Sequence, residues 1–247
     1  MDYLDVNIDI SGWEPLLFSE WLKLLKKLSD KFWRERIIVT TTWLWNINFT
    51  KKNRNILESY VWNIDFTYDW VDDVFYRSHE YSQNNLLFVS KFTQSIKKTA
   101  QIVLTTKNIS LSNIEKTVIY LKEYNIDEIF LIKFYPIGRW INYSDLVLSI
   151  EAAKQSIDTY IFFSKKHNGP KIRYQKTLLW WKIGATKWCS FFINEKWDLF
   201  SNSWKKDRFW KDDNNYKIWN LVDNSFTELC WVEYTNIKNL QNKYNEI

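Results

Sequence analysis

Apolar and polar residues alternate strictly over 4–10 (Leu-Asp-Val-Asn-Ile-Asp-Ile), the period-two pattern of a strand. Behind Pro15, a good first-turn residue, Leu17, Trp21, Leu24, Leu25, Leu28 and Phe32 recur at helical spacing, which predicts a helix over 15–32. The β-branched run 36–42 (Arg-Ile-Ile-Val-Thr-Thr-Thr) reads as a second strand. Residues 62–68 alternate again through Ile64, Phe66 and Tyr68. A helical stretch over about 78–98 precedes a strand at 100–106 (Ala-Gln-Ile-Val-Leu-Thr-Thr). Residues 111–124 read as a helix capped by Ser110 or Ser112, with Glu115 close behind. A strand at 128–135 and a helix at 144–163 follow.

The strand starts, near 4, 36, 62, 100 and 128, lie about 26 to 38 residues apart, the spacing of βα units in a parallel sheet. In such folds chemistry collects where strands end and loops begin.

At 46% hydrophobic and 26% charged, the 247 residues can bury a substantial core and do not read as disordered. The net charge of +5 is too small and too scattered to argue nucleic-acid binding. The Lys205–Arg208 run beside Trp204 and Trp210 reads as a solvated loop before it reads as a stacking platform. His79, at a helix start, and His167, in a Lys-Lys-His-Asn-Gly segment, read as surface residues. Two cysteines, Cys189 and Cys230, exclude a disulfide framework and a four-cysteine zinc site. No apolar run reaches membrane-spanning length and residues 1–15 hold no secretory signal pattern, so the expected setting is soluble and cytoplasmic.

One ratio is abnormal. Glycine occurs 4 times and tryptophan 16 times. Together they make up about 8% of the chain, close to the usual glycine share of roughly 7%. Trp13, Trp43, Trp45, Trp70 and Trp140 fall at predicted strand ends, Trp33 follows a predicted helix, and Trp197 sits in an Asn-Glu-Lys-Trp-Asp hairpin segment. Turns, caps and hairpins of this kind favour glycine. The codon UGA specifies glycine in some bacterial lineages, and the Lys, Asn and Ile content fits an AT-rich genome. The expectation is that many of these tryptophans stand for glycine. The alternative takes tryptophan literally and expects an aromatic surface for carbohydrate or nucleic acid.

With glycine at position 13, Ser11-Gly12-Trp13-Glu14-Pro15-Leu16-Leu17 becomes Ser-Gly-Gly-Glu-Pro-Leu-Leu, following a strand and opening a helix. This resembles the Gly-Gly-Glu-Pro motif of radical S-adenosylmethionine (radical SAM) enzymes. Two glycines admit a ligand close to the backbone, and the carboxylate accepts from an α-ammonium group. Asp65-Phe66-Thr67-Tyr68-Asp69-Trp70, with Arg77 shortly after, resembles that family's fourth-strand ending. Thr105-Thr106-Lys107-Asn108 resembles its fifth, and Pro136-Ile137-Gly138-Arg139-Trp140 its sixth. Trp188-Cys189, Ile193-Asn194-Glu195-Lys196-Trp197-Asp198-Leu199 and Trp219-Asn220-Leu221 resemble the C-terminal extension called SPASM or twitch.

The resemblance implies an α/β fold, a partial (β/α)6 TIM-like barrel lacking its first strand, over 1–165. A small α+β extension would occupy 166–247. It implies that Gly12, Trp13, Glu14, Pro15, Asp69, Arg77, Asn108, Gly138 and Arg139 surround S-adenosylmethionine, with Glu14 on the methionine amine. It also implies a [4Fe-4S] cluster, a flavodoxin or ferredoxin as electron donor, and a peptide or protein as substrate. The family's Cys-x3-Cys-x2-Cys segment, whose thiolates hold that cluster, has no counterpart here, since no cysteine precedes Cys189. The expectation is an N-terminally truncated enzyme, inactive by itself. Cys189 reads either as a buried small residue or as a ligand of an auxiliary cluster. The rival is a relative without a cluster that binds a peptide or partner and catalyses nothing.

Overall fold

The computed structural model describes residues 7–11, 15–17, 20–41, 51–68, 79–136, 142–179, 192–193, 198–200 and 217–220. The chain divides into two compact units, Met1–Tyr135 with Asp145–Leu179, and Pro136–Ser144 with Trp180–Ile247.

In the first unit, strands and helices alternate. The order is β1 (Ile8–Ile10), α1 (Trp21–Lys31), β2 (Ile37–Thr41), α2 (Lys51–Tyr60), β3 (Asn63–Thr67) and α3 (His79–Val89). It continues with β4 (Lys97–Leu104), α4 (Leu111–Glu123), β5 (Glu128–Lys133), α5 (Ile150–His167) and β6 (Lys171–Tyr174). All six strands are parallel and lie in chain order, β1-β2-β3-β4-β5-β6, so every connection is a crossover between neighbours. The sheet is not closed, as a partial barrel requires.

Register explains the alternation in the sequence. One face of the sheet carries Ile37, Val39, Ile64, Phe66, Ala100, Ile102, Leu104, Ile129 and Leu131, all buried in a single core with helix residues such as Leu25, Leu57, Val89, Val118 and Ile157. Burying one such aliphatic side chain contributes about 1.5–3 kcal/mol, so this layer holds the unit together. The opposite, inner face carries Asp9, Thr40, Asn63, Asp65, Thr99, Gln101, Glu128 and Arg173. Fully buried parallel strands are normally apolar on both faces. Here the inner face interleaves paired polar side chains with Ile38 and Phe130, which makes it the candidate site.

Local chemistry sets the boundaries. Ser110 Oγ accepts from the Asn113 N–H, and Ser149 Oγ from the Ala152 N–H, capping α4 and α5. α5 ends with Asn168 in the left-handed region at φ 50°. The helix expected over 78–98 stops at Val89. In the following turn Ser95 N–H donates to Thr93 Oγ1, and Thr93 N–H donates to Glu58 Oε1, which draws this backbone out of the helix. α2 and β6 carry weak patterns and have no counterpart in the sequence-based expectations. Trp33, expected at a helix C-cap, lies past the cap residue Phe32 in extended backbone (φ −66°, ψ 144°), so no left-handed conformation calls for glycine there.

In the second unit, β7 (Phe192–Ile193), β8 (Asp198–Phe200) and β9 (Lys217–Asn220) form an antiparallel sheet. Ile193 pairs with Leu199, so the hairpin read from Ile193–Leu199 forms.

Candidate functional site on the inner sheet face

The site is built from strand residues one position out of phase with the core. Thr40 Oγ1 on β2 donates to Asp9 Oδ1 on β1 at 2.8 Å. On β3, Asn63 Nδ2 donates to Asp65 Oδ1 at 2.5 Å, while Gln101 Nε2 on β4 donates to Asp65 Oδ2 at 2.9 Å. Thr99 Oγ1 donates to Asn63 Oδ1 at 3.0 Å. On β5, Glu128 Oε2 accepts from Lys97 Nζ at 2.8 Å and Oε1 from Arg173 Nε on β6 at 2.6 Å. The Arg173 guanidinium lies 3.7 Å from the centre of the Phe130 ring. These bonds form three separate groups, Asp9 with Thr40, Asp65 with Asn63, Gln101 and Thr99, and Glu128 with Lys97 and Arg173, which between them touch all six strands.

Burial raises Asp65 above the usual carboxylate range, with the Gln101 bond, the Arg173 charge and the Asn63 and Thr99 bonds opposing. Asp9 is raised in the same way by desolvation of its carboxyl, although the residue as a whole stays open to solvent. The Thr40 bond opposes that shift and the neighbouring Asp65 charge adds to it. Burial also works to raise Glu128, but the Lys97 and Arg173 contacts outweigh it and hold the carboxyl below its usual range.

At the strand ends, Asn108 is buried and turned into its own loop. Its Oδ1 accepts from the Thr105 N–H at 2.9 Å and its Nδ2 donates to the Val103 carbonyl at 2.8 Å. Pro15 opens a 3₁₀ turn, Pro15–Leu17, whose Leu16 is buried. Gly12, Trp13, Glu14, Asp69, Arg77, Gly138, Arg139 and Cys189 lie outside the described residues. Tyr68, one residue before Asp69, is buried on the helix side, where desolvation, then the neighbouring tyrosines Tyr120, Tyr160 and Tyr124, raise its phenol. A phenol so placed stays protonated and serves packing. His79 opens α3, and His167 ends α5, where its Nε2 and Lys166 Nζ both meet Glu115 Oε1 at 2.8 Å.

The sequence reading singled out the strand ends and missed the inner face. Asp9, Asn63 and Asp65 were legible as the polar half of the alternation at 4–10 and 62–68, whereas Arg173 lies on β6, which the sequence pattern did not mark. Among the described residues no group of three or more His, Cys, Asp and Glu side chains is placed to hold a metal ion.

No family model and no curated relative matches the chain by sequence. Solved structures do match. SuiB of Streptococcus suis bound to precursor peptide SuiA superposes with a TM-score of 0.64 at 13% identity, over 92% of this chain and 55% of that one. SuiB bound to S-adenosylmethionine gives 0.63 at 13% identity, over 80% and 49%. A domain of pyruvate-formate lyase-activating enzyme from Bacteroides vulgatus gives 0.51 at 16% identity, over 69% of this chain and 99% of that domain. The fold is that of radical SAM enzymes. At these identities the likeness is one of fold, and the chain spans about half the length of SuiB.

Proposed function

We propose that the chain is the S-adenosylmethionine-binding part of a radical SAM enzyme that acts on a peptide or protein. The observation that carries this reading is the conjunction of that fold with family-like segments at the ends of four strands, β1, β3, β4 and β5, namely 11–15, 65–77, 105–108 and 136–140. Glu14 holds the methionine amine. Asp69, Arg77 and Asn108 contact the cofactor, Asn108 after turning out of its loop. Gly12 and Gly138, and position 13 as glycine, let the backbone come close. The unit that carries β1 to β6, through Leu179, is the core, and the residues after it a SPASM-like extension.

A bound [4Fe-4S] cluster would supply the electron that cleaves S-adenosylmethionine to a 5′-deoxyadenosyl radical. Its three thiolates are not in this chain, whose two cysteines are Cys189 and Cys230, so no step is assigned to the cluster here. The chain's own share is binding and orientation of the cofactor and substrate. The precursor peptide on SuiB favours a peptide substrate.

The test is anaerobic incubation of the chain with iron, sulfide, dithionite and S-adenosylmethionine. Bound S-adenosylmethionine without 5′-deoxyadenosine is the expected result. Formation of 5′-deoxyadenosine would overturn the assignment of inactivity, and absence of binding would overturn the cofactor assignment.

A further inference from the structure

The charges of the inner face are segregated. Asp9 and Asp65 lie on β1 and β3, whereas Lys97, Lys171 and Arg173 lie on β4 and β6 with a single carboxylate, Glu128, between them. Register sets Thr99, Glu128 and Lys171 in one row and Gln101, Phe130 and Arg173 in the next.

Arg173 is held from two sides. Glu128, only 2% exposed, takes its Nε, and the Phe130 ring lies against its plane at 3.7 Å. Glu128 is itself fixed by Lys97. Among the described residues none accepts a hydrogen bond from the two terminal Nη groups, and the side chain is 44% exposed. Asp65 lies within electrostatic reach, but both its oxygens are engaged by Asn63 and Gln101. The guanidinium is thus anchored at Nε and against the Phe130 ring, with its side chain still 44% exposed and its terminal donors free of acceptors among the described residues. Fixed guanidinium planes match the two coplanar oxygens of a carboxylate better than they match a point charge.

We propose that Arg173 is a substrate-binding residue that receives a carboxylate, an acidic side chain or chain end of the peptide, between its Nη groups. It would set specificity for acidic peptides. Calling the bound group a substrate rests on the proposed function; the carboxylate site does not.

The test uses the full chain without S-adenosylmethionine. Fluorescein-labelled hexaglutamate and hexaglutamine are titrated by anisotropy against wild type, Arg173→Lys and Arg173→Gln, with thermal melts of each. Hexaglutamate is expected to bind at least about tenfold tighter than hexaglutamine, because only the former offers a carboxylate. Arg173→Lys, which keeps the charge and loses the fork, is expected to weaken hexaglutamate about fivefold or more while its melt stays within a few degrees of wild type. Arg173→Gln should abolish the preference. Inorganic phosphate should displace the peptide only weakly. Equal binding of the two peptides, unchanged binding by Arg173→Lys, or ready displacement by phosphate would each overturn the proposal. A separate S-adenosylmethionine titration keeps the two readings apart, since either ligand can fail without the other.

Discussion

Gln101 Nε2 donates to Asp65 Oδ2 at 2.9 Å, tying β4 to β3 on the face that turns away from the helices. Burial nevertheless raises the Asp65 carboxyl, so the folded state holds that proton to higher pH than the unfolded chain does. A folded state that binds more protons loses stability as pH rises. The Asp65 contribution is thus complete below the unfolded value of about 3.9 and lost as pH climbs through the folded one. Unfolding free energies of wild type and Asp65→Asn, compared from pH 3 upward, should show the wild type losing ground steadily above about pH 4. Parallel curves would contradict this.

Glu128 behaves in the opposite sense. Its carboxyl is lowered, so the stability it contributes is present above the unfolded value of about 4.3 and disappears as pH falls through the folded one. Glu128→Gln should cost about 1–3 kcal/mol at neutral pH, less than a fully buried pair because Lys97 and Arg173 reach solvent. The cost should vanish in acid. Urea unfolding at pH 7 and pH 3 measures both.

Gly169 follows the left-handed Asn168 at the end of α5. A Cβ there would lie 2.7 Å from Val118 Cγ1 of α4. Gly169→Ala should therefore destabilise by about 1–3 kcal/mol through overpacking. Adding Val118→Ala should recover part of that loss, as a double-mutant cycle would report.

These cases show what was legible. The alternation at 4–10 and 62–68 announced strands with one apolar face, and Ser110 marked its helix correctly. The hairpin at Ile193–Leu199 was equally readable. β6 was not, because Lys-Ile-Arg-Tyr offers one strongly apolar residue in four and is stabilised by pairing with β5. Asp65 was visible as a polar alternate of 62–68, whereas Arg173, on β6, was not. Their sharing one face of the sheet depended on register between strands far apart in sequence, which local pattern does not carry.

The excess of tryptophan over glycine carries a prediction about the gene. If position 13 and the other strand-end tryptophans stand for glycine, their codons are UGA. The described Trp33, with its ordinary backbone and 79% exposure, needs neither residue, so its codon is less telling than those of Trp13, Trp43, Trp70 and Trp140. Sequencing the locus reads these directly, and UGG at those positions would end the recoding account.

The most direct measurement is isothermal titration of S-adenosylmethionine into the chain as written, into Trp13→Gly, and into Trp13→Gly combined with Glu14→Ala. The account predicts saturable binding that tightens by about tenfold or more when the indole is removed, because backbone approach at that position requires glycine. It predicts that the binding is lost again without the Glu14 carboxylate. No saturable heat from either of the first two proteins would contradict it.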